Sequence, residues 1–299
     1  MKKHQYLFLT LPVIATLLSI AALALWGLTP GIDLSGGSML QVSYSERPTI
    51  ESVHTKVAEL GLGEVRVQPS GNQDFILRQR ELTNEEKQTL DTALAEFGTY
   101  SEIQFNSVGP SIGDEIVHKS WWAIGLVSFA IVVFIAFAFR HVSKPVASWK
   151  YGFVTIVTLI HDVLIPIGLF AYLGHAHGAE VGVFFIVAIL TTLGISINDT
   201  IVIFDRIREN LRINEAKHQG EAFKDVVWRS TKQSLTRSIN TSLTVVIMLV
   251  ALFFVGPEST KDFSLTLIVG MIAGTYSSLL LASPLLIIIE QTQRKATGK

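Results

Sequence analysis

Six apolar runs, each long enough to cross a bilayer, constrain this chain more than any other feature. They lie at about 7–28, 120–140, 151–173, 181–204, 238–255 and 263–289. A stretch of about 20 apolar residues matches the hydrocarbon thickness when helical. In lipid every backbone polar group must be satisfied internally, so these runs have to be helices. The expected fold is an α-helical polytopic membrane protein with six transmembrane helices. Only 16% of the 299 residues are charged and mean hydropathy is +0.43, unlike a soluble domain of this length. A net charge of −1 offers no basic field for nucleic acid, and the lack of cysteine excludes disulfides and thiol chemistry. The first run exceeds a signal-peptide core and is read as an uncleaved span.

Charged residues set the expected orientation. Arg140, Lys144 and Lys150 lie between spans two and three. Arg206, Arg208, Arg212, Lys217, Lys224, Arg229 and Lys232 fill the link between spans four and five, and Arg294, Lys295 and Lys299 lie in the tail. The turn at His175-Ala176-His177 has no Lys or Arg, and that near Glu258 has only Lys261. The positive-inside rule then puts both termini in the cytoplasm. The link from Glu209 to Thr236, with Phe223, Val226 and Val227 on one stripe, reads as an amphipathic helix lying at the membrane surface.

That orientation puts the insert at about 29–118 outside, in the periplasm. It carries 6 Lys and Arg against 14 Asp and Glu. Strands are expected at Met39 to Tyr44, Glu64 to Gln68, Phe75 to Leu77 and Tyr100 to Phe105, with helices at Thr49 to Leu60 and from Thr83 to Phe97. Thr83 with Glu86 forms a capping-box pattern, and Pro69-Ser70-Gly71-Asn72 a hairpin turn. The order βαββαβ is the ferredoxin-like α+β arrangement. No nucleophile–base pair or metal-ligand set is evident in it, so it reads as a binding or lever domain. Its flanks, with Gly31, Gly36 and Gly37 before it and Gly109, Pro110 and Gly113 after it, are either ordinary linkers or paired hinges.

Polar residues inside the spans carry the functional signal. Span three holds His161-Asp162, and span four holds Thr192, Ser196 and Asp199 on one helical face, with Asn198 beside them. Span five opens with Arg237, Asn240, Thr241 and Thr244, again one face. An ionised side chain at mid-helix costs about 2.5–3.5 kcal/mol, so such residues are functional candidates by default. Asp199 and Arg237 fall at similar depth on antiparallel neighbours, and their pairing is expected. Burial disfavours the ionised carboxylate and a nearby arginine favours it. That opposition can let Asp199 gain and lose a proton. His161 and Asp162 are either a second relay point or a polar pair that orders span three. Gly270 and Gly274, followed by Ser278 and Ala282 at four-residue spacing, form a small-residue face for close helix packing.

The segment Asn198-Asp199-Thr200-Ile201-Val202, followed by Asp205-Arg206-Ile207-Arg208-Glu209-Asn210, resembles the fourth-span signature of the SecD/SecF family of bacterial protein-export membrane subunits. Gly31 to Gly37, Ser107 to Gly113, His161-Asp162-Val163, Ser234-Leu235-Thr236-Arg237 and Phe263-Ser264-Leu265-Thr266 agree in order. The resemblance implies one half of a resistance–nodulation–division-type transporter in the inner membrane. It implies pairing with SecD, work with the SecYEG channel, and use of the proton-motive force to promote late-stage preprotein translocation. By position, Asp199 matches the family's proton-pathway aspartate and Arg237 its coupled arginine. Protons are the coupling ion; no cofactor, metal, nucleic-acid partner or enzymatic reaction is expected. A proton-driven half-transporter for a small molecule or lipid, and a non-transporting assembly scaffold, are the alternatives.

Overall fold

A computed structural model describes residues 2–71, 73–138, 146–257 and 260–296. Asn72 of the expected hairpin turn, and Arg140, Lys144, Glu258 and Lys299 of the orientation set, lie outside the described residues. The elements run α1 (Lys2–Trp26), α2 (Ile32–Ser35), β1 (Gly37–Tyr44), α3 (Ile50–Glu59), β2 (Arg66–Ser70), β3 (Asp74–Gln79), α4 (Asn84–Ala95) and β4 (Tyr100–Val108). They continue with α5 (Pro110–Ala138), α6 (Ser148–His177), α7 (Val183–Ala216), α8 (Phe223–Val255) and α9 (Lys261–Ser277). A π-helical turn at Ser278–Ala282 leads into α10 (Ser283–Ala296). The chain forms two compact units, one of Met1–Thr29, Trp122–Ala179 and Phe184–Lys299, the other of Pro30–Trp121 and Glu180–Val183.

The first unit is helical, and among the described residues six helices are long and apolar enough to cross a membrane. Burial divides them. The sixth span, α9 through α10, is 61% buried, and α6 and α7 are half buried, whereas only 6% of the apolar stretch of α5 is covered. The inner helices α6, α7 and α10 share a core in which Tyr151 meets Phe204 edge-on at 5.2 Å, with Val154, Ile203, Leu286 and Ile287 around them. Outer helices leave Trp122, Phe129 and Phe137 of α5 and Ile247 and Phe254 of α8 exposed, as lipid-facing apolar side chains should be. Gly168 of α6 lets α1 approach closely, since a Cβ there would lie 2.4 Å from the Ser19 Cα.

The link between spans four and five differs from expectation. No separate surface helix occupies Glu209 to Thr236. Instead α7 runs on to Ala216 and α8 already starts at Phe223. The two helices stay bound beyond the apolar stretch. The buried Asn210 amide donates to Ser230 Oγ at 2.8 Å, and Phe223 and Val227 join the inner core. The turn between them is closed by the Asn214 side chain, which bonds both the N–H and the C=O of Glu221.

The second unit holds an antiparallel four-stranded sheet of order β2-β3-β1-β4. Alternation in β1 turns Leu40, Val42 and Tyr44 to one face, where Leu40 lies opposite Leu77 and Val42 opposite Phe75. Onto that face α3 places Val53 and Val57, and α4 places Leu90 and Leu94. The Thr83–Glu86 capping box is formed. Strand β2 extends through Pro69 and Ser70, residues expected in the turn. It is an edge strand, where a proline need supply no ladder donor.

The glycine-bearing flanks pack against each other. A Cβ on Gly36 would sit 2.7 Å from the Pro110 Cα, and one on Gly113 would sit 2.8 Å from the Leu34 carbonyl oxygen. Gly36 and Gly37 also adopt φ of +73° and +137°, which L side chains rarely reach. Residues Glu180–Val183, which end the α6–α7 connection and begin α7, belong to the same unit. Gly31 N–H donates to the Val181 carbonyl at 2.9 Å, Val183 N–H to Asp33 Oδ2 at 3.3 Å, and Arg78 Nε pairs with Glu180 at 3.0 Å.

Candidate functional site

Two adjacent residues of α6 begin the site. His161 and Asp162 are buried within the helical unit, and His161 Nδ1 lies 2.8 Å from Asp162 Oδ1. The second carboxylate oxygen of Asp162 accepts a short hydrogen bond from Ser196 of α7. His161 Nε2 lies 3.1 Å from the Tyr276 hydroxyl of α9, the two rings meeting edge-on at 5.3 Å. An aspartate holding one ring nitrogen fixes the other as the working end of the imidazole.

On α7, Thr192, Ser196 and Asp199 share one buried face, while Asn198 is exposed. The small-residue face of α9 lies on this stripe. A Cβ on Gly270 would come within 2.5 Å of Thr192 Oγ1, and one on Gly274 within 2.9 Å of Ser196 Cβ. The glycines therefore bring α9 close enough for its next residues, Thr275 and Tyr276, to reach polar groups on α8 and α6.

Asp199 is buried with 8% exposure. Its Oδ2 accepts from Ser242 Oγ of α8 at 3.3 Å, and Ser242 Oγ in turn accepts from Thr275 Oγ1 at 2.7 Å. One turn earlier on α8, the Ser238 hydroxyl is buried near Asp199 without a hydrogen bond of good geometry. Asp162 and Asp199 are linked through α7, whose Ser196 bonds Asp162 one turn before Asp199.

The expected Asp199–Arg237 pair is not formed. Among the described residues no ion pair joins them, and Arg237, Asn240, Thr241 and Thr244 all lie on an exposed face of α8. The cause is register. Buried positions on α8 run through Thr231, Ser234, Ser238 and Ser242, and Arg237 precedes Ser238 by one residue, about 100° around the helix. Hydroxyls, not a guanidinium, face Asp199. Sequence reasoning missed Ser238, Ser242, Thr275 and Tyr276. The available signal was the stripe of small hydroxyl residues on span five, which reads equally well as packing.

The structure thus assembles His161, Asp162, Thr192, Ser196 and Asp199 on facing helices and leaves Asn198, Arg237, Asn240 and Thr241 outside that cluster. Two carboxylates, an imidazole, a phenol and several hydroxyls within an apolar body are groups that can hold a proton and pass it along hydrogen bonds.

Fold and site together define a polytopic membrane protein with an inserted α+β domain and ionisable groups inside its helical body. The family described as "Protein export membrane protein SecD/SecF, C-terminal" matches residues 89–292. A protein translocase subunit SecF of Thermobaculum terrenum is 40% identical over 298 residues, covering 95% of this chain and 92% of that protein. The SecF of Anaerolinea thermophila is 33% identical, covering 96% of this chain and 92% of its own length. Among solved structures, SecDF of Thermus thermophilus, a translocon-associated membrane protein, matches at 28% identity with a TM-score of 0.82. The match takes in 94% of this chain and only 37% of the SecDF polypeptide. The chain belongs to the SecD/SecF family of protein-export membrane proteins.

Proposed function

We propose that this chain is the SecF-type half of a proton-driven unit of Sec protein export in the bacterial inner membrane. It pairs with a SecD half, works with the SecYEG channel and uses the proton-motive force to promote late translocation of preproteins. Both termini are cytoplasmic, and the insert, read as a ferredoxin-like domain, is periplasmic. The sheet order β2-β3-β1-β4 supports that domain reading.

The observation that carries the proposal is Asp199, a carboxyl buried in the helical body with hydroxyl partners and no facing cation among the described residues. Such a group costs little when protonated and much when ionised, so a proton supplied by the gradient changes the energetics of the helices around it. Arg237 supports the partner half. A guanidinium on an exposed face of a spanning helix, flanked by Asn240 and Thr241, requires polar cover at membrane depth, and an acid of SecD supplies it. Two SecDF structures match at TM-scores of 0.82 and 0.66, the second named for a super-membrane-facing form. This supports a family able to adopt more than one arrangement.

The test is Asp199→Asn. The nearly isosteric variant is expected to insert and pair with SecD, yet to lose the part of export that depends on the proton-motive force. Full gradient-dependent export by that variant would refute the proposal.

A further inference from the structure

Two hydrogen-bonded strings inside the helical unit end on neighbouring residues of α9. One runs Asp199–Ser242–Thr275. The other runs Ser196–Asp162–His161–Tyr276. Neighbours on a helix point about 100° apart, so Thr275 reaches α8 while Tyr276 reaches α6. The helix that receives both strings changes character two residues later, at the π-helical turn Ser278–Ala282. Single π turns interrupt the regular ladder and frequently mark functional sites.

We propose that Thr275 and Tyr276 are positioning residues that read the charge state of the buried acids and convert it into a change on α9. This deepens the proton-coupling role assigned to Asp199 and rests on it. Hydrogen counting supplies the mechanism. The Thr275 hydroxyl has two acceptors within reach, Ser242 Oγ at 2.7 Å and the Met271 carbonyl at 2.8 Å, but a single hydrogen to give. An ionised Asp199 only accepts, so Ser242 donates to it and must itself accept from Thr275. The Met271 carbonyl then receives nothing from that side chain. A protonated Asp199 can donate to Ser242. Ser242 then donates to Thr275 Oγ1, and the Thr275 hydrogen turns to Met271. Each bond survives with its direction reversed, and the change arrives as a side-chain bond on an α9 carbonyl one turn back. Back-bonding of this kind bends helices, and the adjoining π turn gives α9 a place to yield. Tyr276, the next residue, moves with it against His161.

The titratable groups facing this string are few. Asp162 and His161 come from α6 and Tyr276 from α9, while α8 contributes only hydroxyls because Arg237 points away. A change at Asp199 therefore reaches the second acid either directly through charge or through α9, and Thr275 separates the two routes.

The experiment uses the full chain in lipid nanodiscs and follows the carbonyl stretch of the protonated Asp199 carboxyl against pH, assigned by its loss in Asp199→Asn. Thr275→Val keeps the shape and removes the hydroxyl; Thr275→Ser restores it. The expected result is a midpoint moved by about 0.5 to 1 pH unit in Thr275→Val, the worth of one net hydrogen bond, with recovery in Thr275→Ser. The His161 imidazole signal is expected to follow the ionisation of Asp199 in the wild type and to uncouple from it in Tyr276→Phe, which removes the hydroxyl 3.1 Å from His161 Nε2. A titrating Asp199 whose midpoint ignores Thr275 would overturn the inference and leave the proton-coupling role standing. An Asp199 band that never titrates would overturn both.

Discussion

A single residue position decides which side chain an acid meets. Ser238 and Ser242 face Asp199, and Arg237, one position away, does not. This assigns different consequences to neighbouring substitutions. Arg237→Met should leave the fold and thermal stability of the isolated subunit within about 0.5 kcal/mol of wild type, as for an exposed position. If the proposed acid of the partner half pairs with Arg237, its association with that half should weaken by about 3–5 kcal/mol, the cost of removing one member of a buried ion pair. Affinity measured in mixed micelles checks both, and a destabilised isolated subunit would place Arg237 inside the chain's own site. The acids were legible from sequence because a carboxylate amid apolar residues is conspicuous and costly. Ser242, Thr275 and Tyr276 were not. Serine and threonine in spanning helices commonly bond their own backbone, as Thr241 does to the Arg237 carbonyl at 2.9 Å, so their presence alone carries no message. Nor can a sequence fix the rotation of α8, which packing against α7 and α9 settles.

Elements meet here through small residues and caps. The contact of Gly270 with Thr192 leaves no space for a methyl group. Gly270→Ala is expected to destabilise the helical unit by about 1–3 kcal/mol, the usual cost of overpacking. Adding Thr192→Ala removes the atoms that would lie 2.5 and 2.6 Å from the new Cβ, and the double variant should recover most of the loss. Denaturant or thermal unfolding of the two variants and their combination measures it. In the inserted domain, the capping box gives a pH prediction. The Glu86 carboxylate is bonded by Arg80 and by the Thr83 backbone N–H, which together lower its pKa from 4.5 to about 2. A depressed folded value means the stabilisation is complete above pH 4.5 and disappears as pH falls through about 2. The thermal advantage of wild type over Glu86→Gln should therefore shrink across that window. A gap that stays constant down to pH 2 would contradict the bonding seen at the cap. Here the sequence was nearly sufficient, since Thr83 and Glu86 stand at cap spacing. It was insufficient at the link, where helix-favouring charged residues continue α7 and α8 past the apolar boundary.

On the scale of the whole molecule, the long apolar runs and the alternation in the insert prescribed six spanning helices and an α+β domain. What they could not foretell is that Glu180–Val183, where the connection from the helix bearing Asp162 enters the helix bearing Asp199, is built into the inserted unit by backbone bonds and an ion pair. Pairing between residues this far apart in the chain, up to 150 positions for Val183 and Asp33, leaves no local pattern. In the proposed function, Asp199 is the point where a proton gradient does mechanical work. The most direct test is proton flux through this chain and a SecD half reconstituted together in vesicles under an imposed pH gradient. Wild type should pass protons above the vesicle background, and Asp199→Asn should fall to that background while remaining inserted and paired. Flux that survives unchanged in Asp199→Asn would contradict the account.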